Sequence, residues 1–130
     1  MSKALSPTTI RPPFGRYTHG VEIAPGQRLV VTSGQLGLSA DETCPANVTA
    51  QAQICFANCR AILAEAGMGP KDVVKITAYL TRREDFPAYM AVRDAWLEGT
   101  GALPASTLLI VTGFTRPEFL VEVEVMAAAQ

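Results

Sequence analysis

Glu122 and Glu124 stand two residues apart in FLVEVEVMA, a run in which nearly every other side chain is apolar. At strand periodicity both carboxylates point to one face of a sheet. Two readings follow. In one, the face is solvated or each acid pairs with a base such as Lys75 or Arg116. In the other, at least one acid is enclosed in a pocket, holds its proton more tightly than usual, and moves protons between water and a substrate. Tyr17 and His19, in GRYTHG, lie where an extended arm becomes a strand. Tyr17 there either packs or presents its hydroxyl to a ligand. His19 is the only imidazole, and with no second ligand beside it in sequence it reads as an exposed or hydrogen-bonded side chain, not a metal ligand. Ser33-Gly34-Gln35 follows a strand, where a glycine lets a ligand approach the backbone; an ordinary turn explains the same residues. Ser106 and Thr107 follow Pro104 at the start of another strand, where a hydroxyl can bond a carboxylate or a water.

Other chemistries lack their motifs. No GxSxG elbow, Walker loop, GxGxxG or HExxH occurs, which argues against serine hydrolases of that type, P-loop NTPases, Rossmann enzymes and zincins. Of the three cysteines, Cys55 and Cys59 sit one turn apart inside an apparent helix, and with Cys44 they read as inert core thiols.

The elements that must position these residues are legible in outline. Pro7, Pro12 and Pro13 keep the start extended. Tyr17 to Ile23, a Pro25-Gly26 turn and Arg28 to Ser33 read as a β-hairpin. From Asn47 to Ala66 the period is helical, with Ala50, Ile54, Ala57, Ala61 and Ala64 forming a small-residue face, Asn47 as N-cap and Gly67 as the left-handed terminator. Asp72 to Leu80 reads as a strand with Val74, Ile76, Ala78 and Leu80 on one side and Val73, Lys75, Thr77 and Tyr79 on the other. A second helix starts at Asp85, so that Pro87 falls in the first turn, presents Phe86, Tyr89, Met90, Arg93 and Leu97 as a stripe, and ends at Gly99. Two strands, Ala105 to Thr112 and Phe119 to Ala127, close the chain. The order ββαβαββ predicts an α+β fold: one sheet covered on one face by two helices, its other face free to bury against neighbours.

Length and composition bound the class. A chain of 130 residues, 48% hydrophobic and 18% charged, is expected to form one domain over residues 1–130 without metals or disulfides as staples. A net charge of −1 with singly scattered bases gives no stripe for phosphates, so nucleic acid is a poor partner. The mean hydropathy of +0.19 is high for a small monomer and points to apolar surface hidden between subunits. No apolar run approaches the roughly 20 residues that span a bilayer, and MSKALSPTTI has no hydrophobic leader core, so a cytoplasmic protein without membrane partners is expected.

Taken in order, PPFGRYTHG, VTSGQLGL, QAQICFANCRAILAEAGMGPKDVVKITAYLT, EDFPAYMAVRDAWL, LPAST and RPEFLVEVEVMAAA resemble the RidA/YjgF family of reactive-intermediate deaminases over roughly residues 10 to 129. The resemblance implies a chorismate-mutase-like α+β fold assembled as a homotrimer, the sheets closing into an inner β-barrel with three inter-subunit clefts. It implies hydrolytic deamination of an imine or enamine without a cofactor. Glu122 would be the acid/base, Tyr17 would orient substrate or water, and Ser33 and Gly34 would offer backbone groups. In deaminating members an arginine in a PARS-like stretch grips the substrate carboxylate; here that position is Ser106. A serine cannot replace a bidentate, charge-assisted grip, which turns the expectation away from the standard 2-imino acid. Ser106 and Thr107 would then bind substrate through hydroxyls, with Arg16 beside Tyr17, or Arg116, as a cation from another direction. A trimeric metabolite-binding or chaperone-like module without turnover is the alternative reading. Ribonuclease activity, attributed to some relatives, finds no basic groove.

Overall fold

The computed structural model describes residues 2–130. In chain order the strands and helices are β1 (Ser2–Leu5), β2 (Gly20–Ile23), β3 (Arg28–Val31), β4 (Gln35–Leu36), α1 (Val48–Ala64), β5 (Val73–Leu80), α2 (Phe86–Leu97), β6 (Ala105–Ile110) and β7 (Val121–Ala129). Single 3-10 turns precede β5 and α2. The main sheet is mixed, ordered β3-β7-β5-β6, with β4 also on β7; β5 and β6 run parallel and the other pairs antiparallel. Among the described residues no helix is long and apolar enough to cross a membrane.

Alternation through most of their length makes β5 and β7 the centre. On β5, Ile76, Ala78 and Leu80 are buried and Lys75, Thr77 and Tyr79 are half-buried. Against expectation it is Val73, not Val74, that joins them in the core, because the register shifts between Val73 and Lys75, and Val74 is buried outside it. On β7, Val121, Val123, Val125 and Ala127 are buried while Glu122, Glu124 and Met126 are half-buried. The buried set packs beneath both helices, and Phe56 of α1 stacks on Tyr89 and Trp96 of α2, with ring centroids 5.9 and 4.9 Å apart.

Helix α1 begins where expected: the Asn47 side chain accepts from Ala50 N at 2.8 Å. Gly67, at φ +73°, ends it, and Met68 N donates to Leu63 O. The buried face is not the alanine stripe. Ala57, Ala61 and Ala64 are exposed, and Val48, Gln51, Ala52, Cys55, Phe56, Cys59 and Leu63 face the sheet. Burial favours the face with more apolar area, and Phe56 and Leu63 outweigh a row of methyls. Helix α2 has Pro87 in its first turn, and Tyr89, Arg93 and Leu97 are buried, whereas Phe86 is exposed. Asp85 does not cap through its side chain; both its oxygens accept from the Arg82 guanidinium at 3.0 Å.

The expected hairpin is absent. The Pro25-Gly26 turn forms, with Gly26 at φ +83°, but β2 pairs with β1 and β3 pairs with β7. The nine-residue β7 is long enough to take both β3 and β4 along one edge. Thr32 extends that pairing, its N–H donating to Val125 O and its hydroxyl accepting from Val125 N. The N-terminal arm, expected to be merely extended, supplies β1. One bridge, Thr18 to Ala105, ties this outer ribbon to β6.

Candidate functional site

The two acids of β7 do share one face, and the structure separates their roles. Tyr79, directly across from Glu122 on β5, reaches diagonally to donate its hydroxyl to Glu124 Oε1 at 2.6 Å. Glu124 therefore has a partner, and it is a phenol, not a base. That acceptor pushes the Tyr79 hydroxyl above its ordinary pKa. The two bases proposed as partners are elsewhere: Lys75 Nζ donates to Thr107 Oγ1 at 2.7 Å, and Arg116 lies 3.5 Å from Glu118. Among the described residues neither pairs with Glu122.

Glu122 instead lines a pocket of about 370 Å³ with Leu36, Gly113, Phe114 and Thr115. Partial burial raises its pKa, and the charge of Glu124 beside it adds to the rise. On its far side Glu122 is opposite Leu36 of β4, and the segment between β3 and β4 brings Gly34 against the carboxylate. A Cβ at position 34 would fall 2.7 Å from Glu122 Cδ, closer than such atoms approach. Glycine is thus required for close approach of backbone to carboxylate. Ser33 is exposed and its carbonyl accepts from Gln35 Nε2 at 3.2 Å. An acid that holds its proton more tightly than usual, beside an open pocket and adjoining backbone, is equipped to take a proton from water and return it to a leaving group.

The other expected site residues form a second group at the outer edge of β6. Thr18 N donates to Pro104 O at 3.2 Å, which sets the Tyr17 segment beside Ala105 and Ser106. The Tyr17 hydroxyl accepts from Phe14 N at 3.0 Å, its ring meets His19 edge-on, and His19 Nε2 bonds the Arg11 carbonyl at 2.6 Å. Arg16 points its side chain to solvent, while its carbonyl accepts from Arg93. Ser106 pairs with Ile76, so it shares the helix-covered side; Thr107 pairs with Thr77 on the open side. Within one chain β5 lies between this edge and Glu122, a separation of two strand spacings or about 10 Å. The chain does not bring Tyr17 and Ser106 to Glu122.

Three residues have supporting roles that the sequence does not show, although it places Tyr79 on a strand face and Arg93 on the α2 stripe. Tyr79 showed only as an alternating position, because its partner depends on strand order. Gln51 is fully buried; its amide donates to Pro45 O and Glu118 O and accepts from Leu120 N, each at 2.8 Å, so it pins the approach to β7. A polar residue at a helix's buried stripe was the available signal. Arg93, in the same situation on α2, is fully buried. Cys55 and Cys59 are buried as expected, their thiols pushed up to about 12 by desolvation; Cys44 is half-buried.

The chain's relatives bear on this arrangement. Residues 8–129 match the family model described as Endoribonuclease L-PSP. The 2-iminobutanoate/2-iminopropanoate deaminase of Escherichia coli K12 is 29% identical over 129 residues, spanning 98% of each chain. Among solved structures, a Rid-family protein of unknown function from Yersinia pestis superimposes with a TM-score of 0.87 at 29% identity, covering 98% of each chain. TdcF of E. coli, solved with bound serine, gives a TM-score of 0.75 at 25% identity, over 98% of this chain and 99% of that one.

Proposed function

This chain belongs to the Endoribonuclease L-PSP (YjgF/Rid) family, and from that premise we propose that it hydrolyses the C=N bond of a small imine or enamine, with Glu122 as general acid and base. The observation that carries this reading is the Glu122 carboxyl, unpaired by any base among the described residues, raised in pKa, and set between the pocket and the Gly34 backbone. The carboxylate accepts a proton from water as the water oxygen bonds to the imine carbon and passes it to the nitrogen, giving a carbinolamine; it then takes the proton of the new hydroxyl and delivers it to the amine as the C–N bond breaks, so that carbonyl product and ammonia leave. A raised pKa makes the carboxylate a stronger base, and proton relay by such a group contributes about 10²–10⁴-fold. Tyr17 orients substrate or water, Ser33 and Gly34 offer backbone groups, and Ser106 and Thr107 offer hydroxyls. No cofactor enters these steps.

The substrate is not the standard 2-imino acid, because Ser106 supplies no guanidinium for a carboxylate. Arg16, at the surface beside Tyr17, is the cation available to a ligand that approaches from outside. The assembly is a homotrimer with an inner barrel and inter-subunit clefts. Two observations support it: the Tyr17–Ser106 edge and the Glu122 pocket are apart in one chain, and Leu29, Val31, Leu109 and Ile110 are exposed along the sheet's outer strands. A neighbour's edge docked at the pocket would complete the site and cover that surface. The net charge of −1 favours a small metabolite over RNA, and a cytoplasmic location accords with that role. The loss of the arginine also favours a second reading, a trimeric module that binds metabolites without turnover.

Sedimentation equilibrium tests the assembly, and ammonia release from freshly generated imines with and without carboxylates tests the chemistry. Release from a neutral imine by a trimer supports the proposal; a monomer with no release from any imine opposes it.

A further inference from the structure

A fully buried arginine sits where a helix's core stripe calls for an apolar side chain. Arg93 lies between Tyr89 and Leu97 on the inner face of α2 and is fully shielded from solvent. Enclosing a guanidinium is expensive unless its donors are used. One goes to the adjoining Asp94, whose Oδ1 is 3.0 Å from Nη1. Another crosses 77 positions of sequence: Nη2 donates to the carbonyl of Arg16 at 3.0 Å. Nε has no partner among the described residues.

That long-range bond reaches the turn that carries Tyr17. Within the turn Tyr17 N bonds Gly15 O and Phe14 N bonds the Tyr17 hydroxyl, Thr18 N ties its far end to Pro104 O, and Met90 of α2 lies 3.8 Å from where a side chain on Gly15 would begin. Helix α2 thus supports the turn from beneath at two points, of which only Arg93 is directional. A planar fork serves this purpose as a flexible ammonium could not, since it holds Asp94 and the Arg16 carbonyl at once in fixed geometry.

We propose that Arg93 is a positioning residue, whose buried guanidinium fixes the Arg16 carbonyl and thereby the Tyr17 hydroxyl at the edge of β6. Its effect on turnover rests on the role given to Tyr17 above; its effect on the place of Tyr17 does not.

The test uses the full chain with fluorotyrosine at its three tyrosines, 17, 79 and 89, the resonances assigned by single Tyr→Phe variants. Arg93→Met keeps the volume and leaves Asp94, itself partly solvated, without a buried charge to miss. Its Tyr17 resonance is expected to shift or broaden while Tyr79, across the sheet, stays in place. Arg93→Lys keeps the charge but not the fork, and is expected to displace Tyr17 by less; it carries the test if the methionine variant does not fold. With an active substrate, kcat falls roughly 10–100-fold in Arg93→Met with little change in KM, and adding Tyr17→Phe lowers it no further. An unmoved Tyr17 resonance in either folded variant overturns the proposal. Absence of turnover in the wild-type chain sinks the deaminase reading and leaves the Tyr17 result to decide this one.

Discussion

The carboxylate of Glu122 occupies the space that any side chain at residue 34 would need. The clash is with the flexible end of a side chain, so Gly34→Ala should move the carboxylate and leave the fold intact. We expect thermal stability close to wild type and a 10–100-fold loss in turnover or ligand affinity, of the order that misplacing a reacting group costs. Gly37 is the control: a Cβ there meets the Gln51 Cα at 2.8 Å, which is backbone. Gly37→Ala should cost roughly 1–3 kcal/mol in urea unfolding, the ordinary cost of overpacking.

Glu124 bears on Glu122 through charge. Its carboxylate raises the Glu122 pKa as a contribution second to burial. A general base loses activity as pH falls through its pKa, so Glu124→Gln should move the acidic limb of kcat/KM to lower pH. Tyr79→Phe, which removes a hydrogen bond but no charge, should leave a limb nearer that of wild type. A pH profile of the three proteins checks both.

The same shift has a stability consequence of fixed sign. Because folding raises the Glu122 pKa above its ordinary 4.5, the folded state disfavours the ionised form. Stability linked to this group is present below pH 4.5 and lost as pH rises through the folded pKa. Glu122→Gln should therefore melt higher than wild type at pH 7, and the gap should close near pH 4. A functional acid held at such a cost is the usual trade between activity and stability.

The cysteines should react in two classes. Cys55 and Cys59 are enclosed, with thiols near 12, and a native chain should leave them unlabelled by a thiol-directed reagent. Cys44 is half-buried, and burial and the nearby Glu118 raise its thiol as well, so its labelling should be slow but precede the others. Full labelling requires unfolding.

Periodicity carried much of this structure. The alternation through β5 and β7 placed Glu122 and Glu124 on one face, and Asn47, Pro87, Gly67 and Gly99 marked the helix ends. Pairing was another matter. β2 and β3 have the residues and turn of a hairpin, yet β3 pairs with β7 and β2 with β1, and no local signal records that choice. The alanine stripe of α1 failed likewise: composition marked a small-residue face, and the burial of Phe56, Cys59 and Leu63 decided the orientation. Tyr79 and Arg93 act through partners 45 and 77 residues away, which only the fold brings near.

Ammonia release by wild type, Glu122→Gln and Ser106→Arg, on matched imines with and without a carboxylate, tests the central claim most directly. Wild type is expected to act on the neutral imine, Glu122→Gln to bind that imine but release at least about 10²-fold less ammonia, and Ser106→Arg to gain on the imino acid. Equal release by wild type and Glu122→Gln would contradict it.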